Sequence, residues 1–231
     1  KPESHLAQLS DCQAEVVIGD KRQLAKLKSG LPQFDVDQFP KAETVAEIDG
    51  DIAVIMYTSG STGKPRGVTL TPTNLLANTR QILSYLKLGT TDSVLSVLPF
   101  HYSFGLSLLL THISCGGRVV IDNRFAFPAK ILETMENEKV TGFSGVPSHY
   151  AILTDRTDFL KREWPHLRYL TQAGGAMLPA LTRRINESIP SHTELFVMYG
   201  QTEASARLSY LPPEKLSEKY GSIGIPIPGV E

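Results

Sequence analysis

Tyr57-Thr58-Ser59-Gly60-Ser61-Thr62-Gly63-Lys64-Pro65-Arg66-Gly67-Val68 is the most informative stretch of this chain. It follows an apolar run with strand character, Ile52–Tyr57, and leads into a second β-like run, Val68–Leu70. Gly60 and Gly63 let the backbone turn tightly and come close to a ligand. The hydroxyls of Thr58, Ser59, Ser61 and Thr62, together with exposed backbone N–H groups, can donate to phosphate oxygens, and Lys64 adds a positive charge. The loop is chemically suited to a polyphosphate, although its composition is equally compatible with a Ser/Gly turn that binds nothing. A Walker A loop is excluded. That motif needs the spacing G-x-x-x-x-G-K followed by Ser or Thr opening a helix, whereas here only Ser61 and Thr62 separate the glycines and Pro65 follows Lys64.

Working outward, short β-rich runs alternate with helical patterns. The strand candidates are Glu15–Ile18, Ile52–Tyr57, Ser93–Leu98, Arg118–Ile121, Val140–Phe143, Arg168–Thr171 and Leu195–Met198. Several are apolar on both alternating faces, as in strands covered on both sides. Between them, Pro72–Leu86 places Leu75, Leu76, Thr79, Ile82, Leu83 and Leu86 on one helical face, with Thr71 as N-cap and Pro72 as first helical residue. Ala129–Glu138 and the stripe Leu181, Ile185, Ile189 give two further helices, and the apolar run Phe104–Leu110 has the length of a buried helix. This alternation predicts an α/β fold: a mostly parallel, doubly wound sheet flanked by helices. Residues 1–28 read as an opening helix–strand unit and the polar stretch Ser29–Gly50, with Pro32 and Pro40, as a linker. Residues 51–231 read as the main α/β region. The tail Pro212–Glu231, rich in Pro and Gly, shows no closing strand; with a start at Lys1 rather than Met, it reads as the end of an excised segment.

Composition narrows the function classes. The chain has 231 residues, 41% hydrophobic and 20% charged, with a net charge of -1, so no basic excess points to nucleic acid or to a lipid surface. Cys12 and Cys115 stand far apart and neither belongs to a CxxC, which argues against a disulfide scaffold or a Cys-rich metal site and favours a reducing cytoplasm. No signal-peptide pattern and no membrane-spanning run are present in the sequence.

The stretch from Tyr57 to Val68 resembles the phosphate-binding signature of the adenylate-forming superfamily, with Arg66 where Lys is more usual. That superfamily includes acyl-CoA synthetases, aryl-CoA ligases, luciferases and the adenylation domains of peptide synthetases. Further segments follow in the family's order. Tyr199-Gly200-Gln201-Thr202-Glu203-Ala204 resembles the YGxTE motif; the resemblance puts Tyr199 against adenine, Thr202 at the α-phosphate and Glu203 on Mg²⁺, with Gly200 and Gln201 beside the nucleotide. Gly174-Gly175-Ala176 resembles the adenine-side glycine segment, and Gly221–Gly229 a Pro/Gly segment with a structural role. Pro99–Gly105 resembles the acyl-side segment. There the resemblance implies that His101 lies near the reacting carboxylate or gates the acyl tunnel, and that Tyr102 and Phe104 lie on the substrate side. Phe143–Pro147 resembles a segment lining the acid pocket, which brings in Ser144 and Gly145.

The resemblance covers the whole chain as the central part of the large N-terminal domain of such an enzyme. It implies that ATP and Mg²⁺ activate a fatty or aryl acid as acyl-AMP, which passes to coenzyme A or to a phosphopantetheine carrier protein. It also implies that the small C-terminal domain with its catalytic Lys, and an earlier N-terminal segment, lie outside these residues. The piece alone is then expected to be inactive and, with apolar surface uncovered, prone to self-association. Two other readings stand beside this one. An amino-acid adenylation domain normally places Asp after the Phe of the acyl-side segment, where this chain has His101. A non-catalytic nucleotide-binding module would share the nucleotide motifs without turnover.

Overall fold

A computed structural model describes residues 2–38, 50–58 and 65–231. The phosphate-loop residues Ser59, Gly60, Ser61, Thr62, Gly63 and Lys64 lie outside the described residues, as does 39–49 within the stretch read as a linker. The chain divides into two compact units, Lys1–Pro72 and Thr73–Glu231.

The first unit contains helix α1 (Pro2–Asp11), strand β1 (Val17–Gly19), the short helix α2 (Lys21–Leu24), β2 (Gln33–Asp35), β3 (Val54–Thr58) and β4 (Arg66–Leu70). Asp20 starts α2 by accepting the backbone N–H of Gln23 at 2.9 Å. β1 and β2 pair in parallel, Val17 opposite Gln33. The expected linker 29–50 therefore contains a strand, which its three residues were too few to announce as a period in the sequence. β3 and β4 pair antiparallel, with Thr58 opposite Arg66. By contacts these strands group with the opening residues.

The second unit is a layered α/β structure. Its elements are α3 (Pro72–Leu86), β5 (Ser93–Ser96), α4 (Ser103–Ser114), β6 (Arg118–Ile121), α5 (Pro128–Asn137), β7 (Gly142–Gly145) and α6 (Pro147–Arg156). They continue with β8 (Tyr169–Gln172), α7 (Pro179–Ser188), β9 (Glu194–Tyr199), β10 (Ser209–Leu211) and β11 (Ile225–Pro226). The seven strands form one sheet in the order β11-β10-β9-β8-β7-β5-β6. β6, β5, β7, β8 and β9 are mutually parallel, and β10 and β11 add an antiparallel edge. The fold is thus the mostly parallel α/β sheet that the alternation of elements predicts.

Period-two alternation divides the core between the two faces. Val94 of β5, Tyr169 of β8, and Phe196 and Met198 of β9 pack with Tyr85 and Leu86 of α3 and Phe104 and Leu108 of α4. Leu95, Phe143, Leu170 and Leu195 face the other way, onto Ile131 and Met135 of α5, Leu153 of α6 and Ile185 of α7. Gly142 has no side chain for a specific reason. A Cβ there would lie 1.9 Å from the Tyr169 ring, which crosses β7 to reach His112 Nε2 with its hydroxyl at 2.8 Å. Among the described residues no helix is long and apolar enough to cross a membrane.

The expected boundaries shift where turn chemistry intervenes. β7 begins at Gly142 rather than Val140. Lys139 adopts φ 48° and the Val140 N–H closes back on the Met135 carbonyl, so Val140 still belongs to the cap of α5. The tail, read as having no closing strand, contributes β11. Gly224 at φ 83° turns the chain against β10, where a Cβ would lie 1.9 Å from the Tyr210 carbonyl oxygen.

Candidate functional site

In open parallel sheets, ligands bind beyond the carboxyl ends of the strands. The registers Ser96 opposite Ser144, Gly145 opposite Gln172 and Gln172 opposite Val197 bring the ends of β5, β7, β8 and β9 to one edge. The acyl-side segment, the turn 173–176 and the YGQTEA segment all leave from that edge. β5 and β9 are separated by β7 and β8, about 14 Å at ordinary strand spacing. The segment after β5 spans that gap: Ser103 Oγ lies 3.4 Å from Thr202 Oγ1. Two hydroxyls from segments assigned to different substrates therefore meet.

Tyr199 ends β9 and is 37% exposed, leaving its ring open to a planar ligand; its hydroxyl accepts from Gln201 Nε2 at 2.6 Å. Thr202 and Glu203 lie on a single 3-10 turn, Thr202–Ala204. Glu203 is exposed, and among the described residues no hydrogen bond or ion pair engages its carboxylate. His101 and Tyr102 are exposed, their rings 4.3 Å apart. Gly174, Gly175 and Ala176 are exposed at the end of β8. Their turn is fixed by Gln172 Nε2 donating to the Gly175 carbonyl at 2.7 Å, and Gly174 takes φ 80°. Ser144 and Gly145 are buried: the Ser144 hydroxyl pairs with Thr171 Oγ1 at 2.7 Å, tying β7 to β8. Phe104 is buried too, with the Arg207 guanidinium carbon 4.0 Å above its ring centroid. Thr58, the last residue of β3, belongs to the first unit.

Three residues of this edge were not singled out from sequence. Ser103 is an ordinary helix-opening serine until its partner is known. Asn78 and Arg207 are polar residues in local patterns that read as solvated, yet they are 6% and 2% exposed. Asn78 clamps the backbone of Arg207, donating to its carbonyl at 2.9 Å and accepting its N–H at 3.2 Å. Gly200 makes room for the returning chain, since a Cβ there would lie 1.7 Å from the Ala206 carbonyl oxygen. Ser205 (φ 64°) and Ala206 (φ 154°) occupy regions that favour glycine, so backbone strain is stored between Thr202 and Arg207.

Hydroxyls, an exposed aromatic ring and an exposed carboxylate thus lie at the carboxyl ends of the parallel strands, the edge at which open α/β sheets ordinarily bind their ligands. The chain belongs to the AMP-binding enzyme family, which matches residues 1–231. It is 32% identical over 232 residues to a 2-succinylbenzoate–CoA ligase of Bacillus pumilus, covering 97% of this chain and 46% of that protein. Among solved structures it superposes on the O-succinylbenzoate coenzyme A synthetase of Bacillus subtilis in complex with ATP and magnesium ion. That match has a TM-score of 0.83 at 29% identity, covering 98% of this chain and 48% of the other. The complex of VinN with L-aspartate is similar at a TM-score of 0.82 and 26% identity, covering 99% and 61%. The chain spans about half the length of the curated relatives it matches.

Proposed function

We propose that the full-length protein activates a carboxylic acid by adenylation. A carboxylate oxygen attacks the α-phosphorus of ATP, pyrophosphate leaves, and the acyl-AMP then acylates a thiol, that of coenzyme A or of a phosphopantetheine carrier protein, releasing AMP. The observation that carries this reading is the meeting of Ser103 and Thr202: it brings the acid-side and nucleotide-side segments to one point of the sheet edge.

The reaction joins two anions, so charge repulsion is its main obstacle. Thr58, Lys64 and the backbone N–H groups of the loop between them are assigned the polyphosphate, and Thr202 the α-phosphate. Tyr199 and the turn Gly174–Ala176 are assigned the adenine, and His101 the neighbourhood of the reacting carboxylate. Mg²⁺ fits Glu203, because this ion is ordinarily held by one or two carboxylates with the remaining positions filled by water and substrate phosphates. When bound there it would neutralise phosphate charge. Glu203 is exposed and free of described partners, as that role requires.

The similarity to VinN in complex with L-aspartate supports a second reading, an amino acid as the activated acid. An α-ammonium in a closed site needs a counter-charge, since an unpaired buried ion costs several kcal/mol. After Phe100 this chain offers His101, Tyr102, Ser103 and Phe104, none of them anionic. Pyrophosphate exchange by the full-length protein, measured across fatty, aryl, dicarboxylic and amino acids, distinguishes the two. An acid without an α-ammonium is expected to give the highest kcat/KM. A free amino acid that outperforms every other acid sinks the first reading in favour of the second.

A further inference from the structure

Arg207 is the buried charge that the proposed chemistry leaves unused. Its guanidinium lies over the ring of Phe104, a member of the apolar cluster that also holds Tyr85, Phe196 and Met198. Its described hydrogen bonds do not balance the charge. One Nη donates to the Ala206 carbonyl at 3.3 Å, the neutral Tyr85 hydroxyl is a second hydrogen-bond partner of the guanidinium, and Nε has no partner. No ion pair among the described residues involves Arg207. The neighbouring phenol does not supply an anion. Burial pushes the Tyr85 pKa up to about 12, against the opposing pull of Arg207, so Tyr85 is neutral at physiological pH. The guanidinium feels the same desolvation, which lowers its pKa, but arginine stays protonated in proteins.

The chain is built to hold this cation in place. Gly200 leaves the gap through which the backbone returns, Ser205 and Ala206 take strained conformations, and Asn78 grips the Arg207 peptide from both sides. Strain of this kind clusters at functional sites. The location is equally specific. Phe104, beneath the guanidinium, is the next residue after Ser103, whose hydroxyl lies 3.4 Å from Thr202. The ring beneath the cation therefore belongs to the residue that follows, on α4, the one at which acid and nucleotide are proposed to meet.

We propose that Arg207 is a specificity-determining residue that selects an acid carrying a second anionic group, a dicarboxylate in the simplest case, by pairing with that group rather than with the reacting carboxylate. This rests on the acid-activating reading above. A guanidinium fork engaging both oxygens of the reacting carboxylate would hold back the nucleophile. An anion further along the acid instead satisfies the free Nε and the buried charge, and a neutral tail leaves them unsatisfied. Because Arg207 is 2% exposed, the Phe104 ring must swing aside to admit the anion.

The test uses the full-length protein and acid-dependent pyrophosphate exchange with matched pairs of acids, hexanoate against adipate and octanoate against suberate. The wild type is expected to favour the dicarboxylate of each pair. Arg207→Met is expected to lower the dicarboxylate-to-monocarboxylate ratio of kcat/KM by about 100-fold, mainly through KM for the dicarboxylate. Arg207→Lys is expected to restore part of the ratio, and it gives the readout if the Met variant does not fold. A wild type that favours the monocarboxylates, or a ratio unmoved in both variants, overturns the assignment while leaving adenylation intact. Equal loss for both acids of a pair overturns it as well, since it places Arg207 on the reacting carboxylate or in the fold. Exchange with no acid at all overturns this proposal and the acid-activating reading together.

Discussion

Gly200→Ala is expected to lower adenylation by about 10²–10³-fold, because displacements near 1 Å of catalytic groups cost on that order. The added Cβ would lie 1.7 Å from the Ala206 carbonyl oxygen, 2.6 Å from its carbon and 2.9 Å from the Arg207 Cα. All three are backbone atoms, so no rotamer change relieves the clash and the loop between Gly200 and Arg207 must open. Thr202 and Glu203 lie inside that loop, and Ser103 loses its neighbour when Thr202 moves. The stability cost is expected near the top of the roughly 1–3 kcal/mol usual for overpacking, seen as a melting temperature lowered by several degrees. Gly89→Ala is the control, since no atom outside its chain neighbours lies within 4 Å of a Cβ there and its φ is not positive. Gly200→Ala turnover within about twofold of wild type, measured by pyrophosphate exchange beside Gly89→Ala, would falsify the geometry assigned to this loop.

Glu203→Gln is expected to cost a further large factor by a different route. The substitution keeps the size of the side chain and removes its charge. Glu203 has no described partner in the fold, so the folded state should tolerate the change. A metal-holding carboxylate matters most as phosphate charge redistributes in the transition state. Adenylation is therefore expected to fall by about 10²–10³-fold while nucleotide affinity falls much less. The Mg²⁺ concentration needed for half-maximal rate should rise in parallel. Pyrophosphate exchange that is unchanged at limiting Mg²⁺ removes Glu203 from the metal.

The sheet was legible in the sequence because both of its faces are buried. Apolar runs such as Ser93–Leu98 and Leu195–Met198 stand out against polar turns, and the helix Pro72–Leu86 was framed by its own Pro and amphipathic stripe. β2, β10 and β11 were not legible. Each has two or three residues, too few to show a period, and their pairing partners are set by tertiary contacts. The start of β7 was placed two residues early because Lys139 in the left-handed region carries no sequence mark. For the candidate site, resemblance supplied the segments but not their internal logic. The Ser103–Thr202 contact joins residues 99 positions apart, and the Asn78–Arg207 clamp joins residues 129 apart. Nothing local distinguishes a buried Arg207 from a solvated one; its burial follows from Gly200 and from the turn through Ser205 and Ala206.

The most direct test of adenylation follows the carboxylate oxygen. The full-length protein is supplied with ATP, Mg²⁺, coenzyme A and an active acid labelled with ¹⁸O in both carboxyl oxygens, and the phosphorus products are read by mass spectrometry. Attack on the α-phosphorus transfers one labelled oxygen to the nucleotide, so AMP should carry a single ¹⁸O and pyrophosphate none. Label in inorganic phosphate with ADP as the other product, or unlabelled AMP formed alongside thioester, would contradict an acyl-adenylate.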